Sequence, residues 1–289
     1  MFEKLLVPFD FSVDSRYVIQ CLKKIPKVKE IILLHVIYSK YPSNLECGVS
    51  PDADYARLRL NELVKDLENS GMQVQTIIKE ITGGEIVDVI NQVAFRESIP
   101  LVMMGRRGQG VIESLILGSV ASDVLRYGKT DLLLVHSHKA ESSNDRGHDP
   151  PCPDLFSNVM ICTDFSDPEI GYRCRDELPW IQKATLFHAV TTGTSNEEVQ
   201  SSIDAGKLQL EKITEAFSTI RIPVQVYACV GNAAEEIISR SSQEKSSLIV
   251  LKSTGKKGLL TNLLGSTTGH VARNAHSPVL VLRSAHSSS

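Results

Sequence analysis

Short apolar runs alternate along the chain with segments whose apolar residues recur at helical spacing. In Asp54–Ser70, for example, Tyr55, Leu58, Leu63 and Leu67 recur at near-helical intervals, as expected of an amphipathic helix. The apolar runs lack polar alternation, and strands of that kind, each followed by a helix, predict a parallel sheet covered on both faces. The predicted strands of the first half are Lys4–Pro8, Ile31–Ile37, Gln73–Ile78, Leu101–Met104 and Asp131–His136.

The second half of the chain repeats the landmarks of the first half in the same order. An internal repeat of this kind predicts two copies of one domain, so we expect two tandem Rossmann-like doubly wound α/β domains. Each should contain a five-stranded parallel sheet flanked by helices. The matching segments are Val7–Ser12 with Ile161–Ser166, Leu33–Val36 with Leu186–Ala189, Leu117–Ser119 with Leu264–Ser266, and Leu132–Val135 with Val279–Leu282.

Length and local composition place the boundary between the two copies. A chain of 289 residues suits two domains better than one, because single cores seldom grow past roughly 200 residues. Between the copies lies a polar stretch rich in Pro, Ser and Asp with no apolar period, which is typical of a linker. We therefore predict domain 1 over residues 1–138, a linker over 139–154 and domain 2 over 155–289.

Composition narrows the class of protein. The net charge of −3 is too near neutral to indicate nucleic-acid binding, and no run of eighteen apolar residues predicts a membrane span. The N-terminal residues lack the long apolar stretch of a signal peptide. The six cysteines form no C-x-x-C pair and no zinc pattern, so we expect reduced thiols, no metal site and a cytoplasmic protein.

The segment most informative about chemistry follows the fourth predicted strand. It runs from Met104 through Gly105, Arg106, Arg107 and Gly108, and after nine residues continues as Gly118-Ser119-Val120. Glycines there would allow positive φ and would let phosphate oxygens reach main-chain N–H groups. Ser119 is a candidate N-cap for the helix that follows, and a helix N-terminus favours an anion.

Asp10 lies at the carboxyl end of the first predicted strand. In an open doubly wound sheet the ligand crevice lies beyond the carboxyl ends of the strands, where the strand order reverses. If the first and fourth strands are neighbours there, Asp10 and the glycine segment face one crevice. Alternatively, Asp10 caps the next helix, Ser12–Leu22, and the two roles are compatible. His35 and His188 end the second strand of each copy, where we expect structural hydrogen bonds rather than catalytic bases.

At these residues the chain resembles the universal stress protein family. The hallmark of that family is glycine, two residues, glycine, nine residues, then glycine and Ser or Thr, and Gly105, Gly108, Gly118 and Ser119 reproduce it. The first strand, ending in Pro-x-Asp-Phe-Ser, and the second, ending in Leu-His-Val, are also similar to the family. The resemblance covers nearly the whole chain as two tandem domains.

The resemblance implies a stress-linked protein that binds ATP or AMP and has no settled enzymatic activity. It further implies that Pro8, Phe9, Asp10 and the backbone at Val36 surround adenine and ribose. Met104, Gly105, Gly108, Gly118, Ser119 and Val120 would hold ribose and phosphates. We add that Arg106 or Arg107 reaches the outer phosphates; the alternative is that both belong to a solvated loop.

The second copy departs from the family pattern at one position, because Lys252 stands where the first copy has Gly105. If that position needs positive φ, a lysine costs about 1 kcal/mol or opens the loop. Against that, an ammonium is an ordinary phosphate partner. A second site altered in this way could be weaker, selective for a shorter phosphate chain such as AMP, or without ligand. Its residues would be Thr163, Asp164, Ala189, Lys252, Gly255, Gly265, Ser266 and Thr267.

These observations favour a nucleotide-binding sensor or regulator with little or no turnover, since no residues suggest a nucleophile with its base. A slow ATPase or nucleotide-dependent phosphotransferase stays open, as does an interaction module with degenerate sites. Asp10 and Asp164 could help to bind Mg²⁺ through ATP phosphates. Family members commonly pair through their last strands, so we expect an intramolecular pseudo-dimer. A homodimer of chains and an unidentified protein partner remain open.

Overall fold

The computed structural model describes residues 2–39, 51–108, 117–136, 152–190, 195–254 and 264–283. Gly255 and residues 139–151 of the predicted linker lie outside these ranges. The chain divides into two compact units, Phe2–Cys152 and Pro153–Ser289, which we call domain 1 and domain 2 and describe separately.

Domain 1 is a parallel sheet with the strand order β3-β2-β1-β4-β5. Burial differs among its strands: every residue of β4 and β5 is buried, whereas every residue of β3 is partly or fully exposed. Its elements in chain order are β1 (Lys4–Pro8), α1 (Val13–Leu22), β2 (Glu30–Tyr38), α2 (Pro51–Glu68), β3 (Gln73–Ile81), α3 (Ile86–Arg96), β4 (Leu101–Gly105), α4 (Ser119–Tyr127) and β5 (Asp131–Val135).

Domain 2 repeats this architecture, with the strand order β8-β7-β6-β9-β10 and only parallel pairs among these strands. A short 3₁₀ helix, Glu215–Phe217, follows α6 directly. The elements are β6 (Val159–Cys162), α5 (Ile170–Glu177), β7 (Ala184–Val190), α6 (Asn196–Thr214), β8 (Val224–Val230), α7 (Ala233–Gln243), β9 (Leu248–Lys252), α8 (Ser266–Asn274) and β10 (Val279–Leu282). The predicted doubly wound α/β fold is confirmed in both domains.

The strand order determines where a ligand can bind. In domain 1 the strands β1, β2 and β3 follow one another outward, and β4 lies on the other side of β1, where Leu101 pairs with Leu5. In domain 2 the same reversal pairs β6 with β9, Val159 lying opposite Leu248. Ligands of open α/β sheets bind beyond the carboxyl ends of the strands at such a reversal. The first and fourth strands are neighbours, which is the condition under which Asp10 and the glycine segment face one crevice.

The cysteines correct one expectation from the sequence. Cys21, in the last turn of α1, forms a disulfide with Cys152, whereas we expected reduced thiols. The two residues are 131 positions apart, and only the fold brings their Cα atoms to 5.2 Å, within the span that a disulfide needs. Cys162, Cys174 and Cys229 are not in disulfides, and burial raises the pKa of the Cys162 thiol well above its ordinary value.

Two features of the described residues bear on the membrane and metal expectations. No helix in these ranges is both long and apolar enough to cross a bilayer. The same ranges hold no group of three or more His, Cys, Asp or Glu side chains placed to share a metal ion.

Candidate functional site

The turn that follows β1 shapes the first site. Phe11 adopts a left-handed backbone conformation with φ 63°, and the Asp10 carboxylate stabilises the turn by accepting the N–H of Ser12 at 3.0 Å. Ser12 is the N-cap of α1, because its hydroxyl oxygen accepts the N–H of Ser15 at 3.1 Å. Asp10 thus forms the turn before the helix, while the cap itself is Ser12.

Asp10 also lies against the glycine segment. A Cβ added to Gly108 would come within 2.8 Å of Oδ2 of Asp10, so the carboxylate and this glycine are in direct proximity. Gly118 joins the same cluster, since its N–H donates to the carbonyl of Arg106 at 2.8 Å. The residues predicted from the end of β1 and from the start of α4 are therefore brought together at one end of the sheet.

The glycines serve close approach and not positive φ, which corrects the expectation from the sequence. The described glycines with positive φ are Gly71, Gly84 and Gly231, none of them in the predicted phosphate segment. A Cβ on Gly105 would meet the Cβ of Asp14 at 2.7 Å and its carbonyl carbon at 3.0 Å, which leaves no room for a side chain. A Cβ on Gly118 would lie 3.3 Å from the nitrogen of Gly108.

The prediction that Ser119 is the N-cap of α4 is also wrong. Ser119 is the first residue of the helix, and Gly118 is its N-cap, without a capping hydrogen bond from a side chain. A glycine at the cap leaves the first N–H groups of the helix unscreened by a side chain, which suits an anion at that end.

Asp14 is the residue of this site that sequence reasoning missed. Its side chain is 4% exposed, and its Oδ2 accepts the backbone N–H of Arg107 at 3.0 Å and lies 3.5 Å from Nε of the same residue. Asp14 thereby ties α1 to the glycine segment. Its only sequence signal is an acidic residue in the first turn of a helix, and favourable interaction with the helix dipole explains that equally well.

The two arginines of the segment have different environments. Arg106 is buried, with its Nη1 3.4 Å from both ring nitrogens of His136. Burial lowers the pKa of its guanidinium to about 10; the charge of Arg107 lowers it further and that of Asp14 raises it. Arg107 is partly exposed and held by Asp14. The solvated-loop alternative therefore does not describe Arg106.

His35 makes a structural hydrogen bond, as predicted. Its Nδ1 lies 2.7 Å from the carbonyl oxygen of Phe9, and because a carbonyl only accepts, Nδ1 carries the proton. The ring of Phe11 packs edge-on against His35 with centroids 4.9 Å apart. The guanidinium of Arg59, from α2, lies 4.1 Å from the centroid of the same Phe11 ring. The phenylalanine in the left-handed position is thus held on two sides.

Domain 2 has a cavity of about 540 Å³ at the corresponding place. It lies at the carboxyl ends of β6, β7 and β9 and reaches the first turn of α8. Seven of the eight residues predicted for this site line it, and the eighth, Gly255, is outside the described ranges. The seven are Thr163, Asp164, Ala189, Lys252, Gly265, Ser266 and Thr267.

The turn after β6 matches the turn after β1. Phe165 has φ 61°, the Asp164 carboxylate accepts the N–H of Ser166 at 3.0 Å, and Nδ1 of His188 donates to the carbonyl of Thr163 at 2.8 Å. The ring of Phe165 lies 4.3 Å from that of His188. The repeat therefore preserves the geometry of this turn as well as its Asp-Phe-Ser sequence.

Lys252 is accommodated without the strain that we expected. Its backbone is not left-handed, so the predicted cost of about 1 kcal/mol for positive φ does not arise. Its ammonium lies 3.6 Å from Oδ2 of Asp167, and its carbonyl accepts the hydroxyl of Thr268 at 2.7 Å. The lysine is part of the cavity wall and not an obstruction of the loop.

Comparison with known proteins agrees with this geometry. The model of the universal stress protein family matches residues 1–136 and 183–283. The chain belongs to that family. Both matched regions include the second and fourth strands of their domain, and the first of them also includes β1, the Asp10 turn and the glycine segment.

Other universal stress proteins are similar to this chain, over nearly its whole length or over about half of it. One from Mycolicibacterium smegmatis is 26% identical over 302 residues, which cover 96% of each chain. The solved structure of another, from Archaeoglobus fulgidus, superposes with a TM-score of 0.71 at 22% identity, covering 98% of this chain and 99% of that one. A universal stress protein of Methanocaldococcus jannaschii is 25% identical over 157 residues, 47% of this chain and 95% of its own.

Proposed function

We propose that this universal stress protein binds adenine nucleotides, ATP or AMP, and acts as a stress-response sensor or regulator with little or no catalytic turnover. The observation that carries the proposal is the cavity of about 540 Å³ in domain 2, at the reversal of the strand order. Small-molecule sites typically measure about 300–1,000 Å³ and occupy this position in doubly wound folds.

The lining of that cavity suits the parts of a nucleotide. Apolar side chains of Ile170, Phe187 and Ile237 offer a surface for a base, and the carboxylate of Asp164 can accept ribose hydroxyls. Ser266 and Thr267 begin α8, where N–H groups and the helix dipole favour a phosphate. The lining therefore includes a group suited to each part of a nucleotide.

Domain 1 offers the same groups with its glycine segment in full. Asp10 takes the place of Asp164, and the first turn of α4 takes the place of α8. Where ATP is bound, Mg²⁺ would be held mainly by the phosphates, with Asp10 or Asp164 assisting. His35 and His188 donate through Nδ1 to backbone carbonyls, a role in positioning the turn, which supports binding without turnover.

Three further parts of the proposal rest on the sequence. We infer that the chain forms an intramolecular pseudo-dimer through its last strands, which carry the apolar runs Leu132–Val135 and Val279–Leu282. We also place the protein in the cytoplasm and expect a protein partner that reads the nucleotide state. Gel filtration tests whether the chain is a monomer, as an intramolecular pseudo-dimer requires, and cell fractionation tests the cytoplasmic location.

Mass spectrometry of ligand released from the denatured protein, followed by calorimetric titration with ATP and AMP, tests the main proposal. Gly118→Val should remove binding in domain 1, because a Cβ at this position already lies 3.3 Å from the Gly108 nitrogen and the methyl groups occupy the phosphate side of the cap. Arg126→Val is the matched control, since it places the same side chain at the exposed far end of α4.

We expect the control to keep the wild-type stoichiometry and Gly118→Val to lose one site. If the wild-type protein releases no nucleotide and shows no thermal shift with millimolar ATP or AMP, the proposal is wrong. Turnover that is present in the wild type and abolished by Gly118→Val would instead favour the slow ATPase.

A further inference from the structure

An ion pair lies in the wall of the domain 2 cavity. The ammonium of Lys252 is 3.6 Å from Oδ2 of Asp167, and the two side chains are 14% and 22% exposed. The other carboxylate oxygen of Asp167, Oδ1, accepts the N–H of Glu169 at 3.0 Å, which fixes the direction of the side chain. Lys252 ends β9 and Asp167 precedes α5, so the pair bridges two separate segments of the cavity wall.

Domain 1 has no counterpart of this pair among its described residues at the same position. Gly105 stands in place of the lysine, the Cβ and backbone of the buried Asp14 pack against it, and the Asp14 carboxylate accepts the N–H of Arg107. In domain 1 the Asp14 carboxylate is therefore occupied by a hydrogen bond within the protein. In domain 2 the carboxylate of Asp167, which aligns with Val13 of domain 1, and the ammonium of Lys252 both line the space where a ligand would lie.

A hydroxyl group next to the pair adds to this arrangement. Ser166 lines the cavity, and its Oγ is buried with no hydrogen-bond partner among the residues that the structure describes. In domain 1 the equivalent Ser12 uses its hydroxyl to cap α1. In domain 2 the helix begins only at Ile170, so Ser166 is released from that role and its hydroxyl can donate to an anionic ligand.

Given the proposed function, we propose that the Lys252–Asp167 pair makes the second site selective for a nucleoside monophosphate over a triphosphate. A single phosphate replaces Asp167 as the partner of Lys252 and takes the Ser166 hydroxyl. Each further phosphate adds negative charge close to Asp164 and Asp167, with Lys252 as the one cation among the described residues that line the cavity. Like charges in a partly enclosed site repel strongly, so the triphosphate is disfavoured.

The test measures the second site alone, in the full-length Gly118→Val chain, by calorimetric titration with AMP, ATP and adenosine. We expect AMP to bind about tenfold or more tightly than ATP. Asp167→Asn should raise ATP affinity by about tenfold and AMP affinity by less, because it removes a repelling charge while keeping the side-chain shape. Lys252→Met should reduce AMP binding to the level of adenosine, whereas Lys252→Arg should keep the AMP preference.

Asp176→Asn is the matched control, because Asp176 pairs with Arg175 at 2.7 Å on the exposed side of α5 and does not line the cavity. It should leave both affinities unchanged. If the Gly118→Val chain binds none of the three ligands, nucleotide binding by domain 2 is wrong and the selectivity falls with it. If nucleotides bind but the ATP to AMP ratio is the same in Asp167→Asn, only the selectivity is overturned.

Discussion

The two sites share a turn and differ in the carboxylate that supports it. In both, an aspartate accepts the N–H of the residue two positions later, and a left-handed phenylalanine follows the aspartate. In both, a histidine donates to the carbonyl of the residue before the aspartate. Beside that turn, domain 1 packs Asp14 against Gly105, whereas domain 2 pairs Asp167 with Lys252. Domain 2, which has a lysine in place of the glycine, therefore also has an aspartate that pairs with this lysine.

The start of the first helix in each domain explains why Asp167 can pair with Lys252. In domain 1, α1 begins at Val13, directly after the turn, so Asp14 falls in its first turn and is buried. In domain 2, Pro168 follows Asp167, and the residue before a proline is disfavoured in the helical conformation. Helix α5 accordingly begins at Ile170, and Asp167 stays in the connection that borders the cavity.

The largest effect that separates the two domains should come from the disulfide. Helix α1, which carries Asp14, has Cys21 in its last turn, bonded to Cys152, whereas Cys174 of α5 is not in a disulfide. Cys152→Ser should lower the free energy of unfolding of domain 1 by about 2–4 kcal/mol, because the bond constrains the unfolded chain. Urea unfolding followed by circular dichroism measures the loss.

Reductant is the control for that variant. Wild-type protein in reductant should match Cys152→Ser, and the variant itself should not respond to reductant. Peptide mapping without reduction that recovers Cys21 and Cys152 as separate free thiols would contradict the prediction.

The next largest effect should come from alanine at the exchanged position. Gly105→Ala places a Cβ 2.7 Å from the Cβ of Asp14 and 3.0 Å from its backbone, and overpacking of this kind costs about 1–3 kcal/mol. Lys252→Ala removes only a partly exposed ion pair, so we expect a loss of about 0.5–1 kcal/mol. Thermal unfolding of the two variants checks the difference, and equal losses would show that the close approach at Gly105 has no energetic consequence.

The fold could be predicted from the sequence, as could the residues that gather at the carboxyl ends of the strands in each domain, because both depend on local signals. Uniformly apolar strands, helical spacing and the repeated Asp-Phe-Ser segment each follow from a few neighbouring residues. The role of Gly105 could not be predicted, since the atom that excludes a side chain there belongs to Asp14, far away in the sequence. Cys21 and Cys152 were missed for the same reason, because only the folded chain brings them together.

The smallest of these effects compares one substitution at two places. Asp14→Asn keeps an acceptor for the N–H of Arg107 but loses the charge, so we expect domain 1 to lose about 1 kcal/mol of stability and its site several-fold in nucleotide affinity. Asp167→Asn should have the opposite sign for ATP in domain 2, because there the carboxylate competes with the ligand for Lys252. Titration of each variant with ATP measures whether the affinity falls or rises. If the two substitutions change ATP affinity in the same direction, the carboxylates have one common role, and the difference between the sites must lie in the lysine alone.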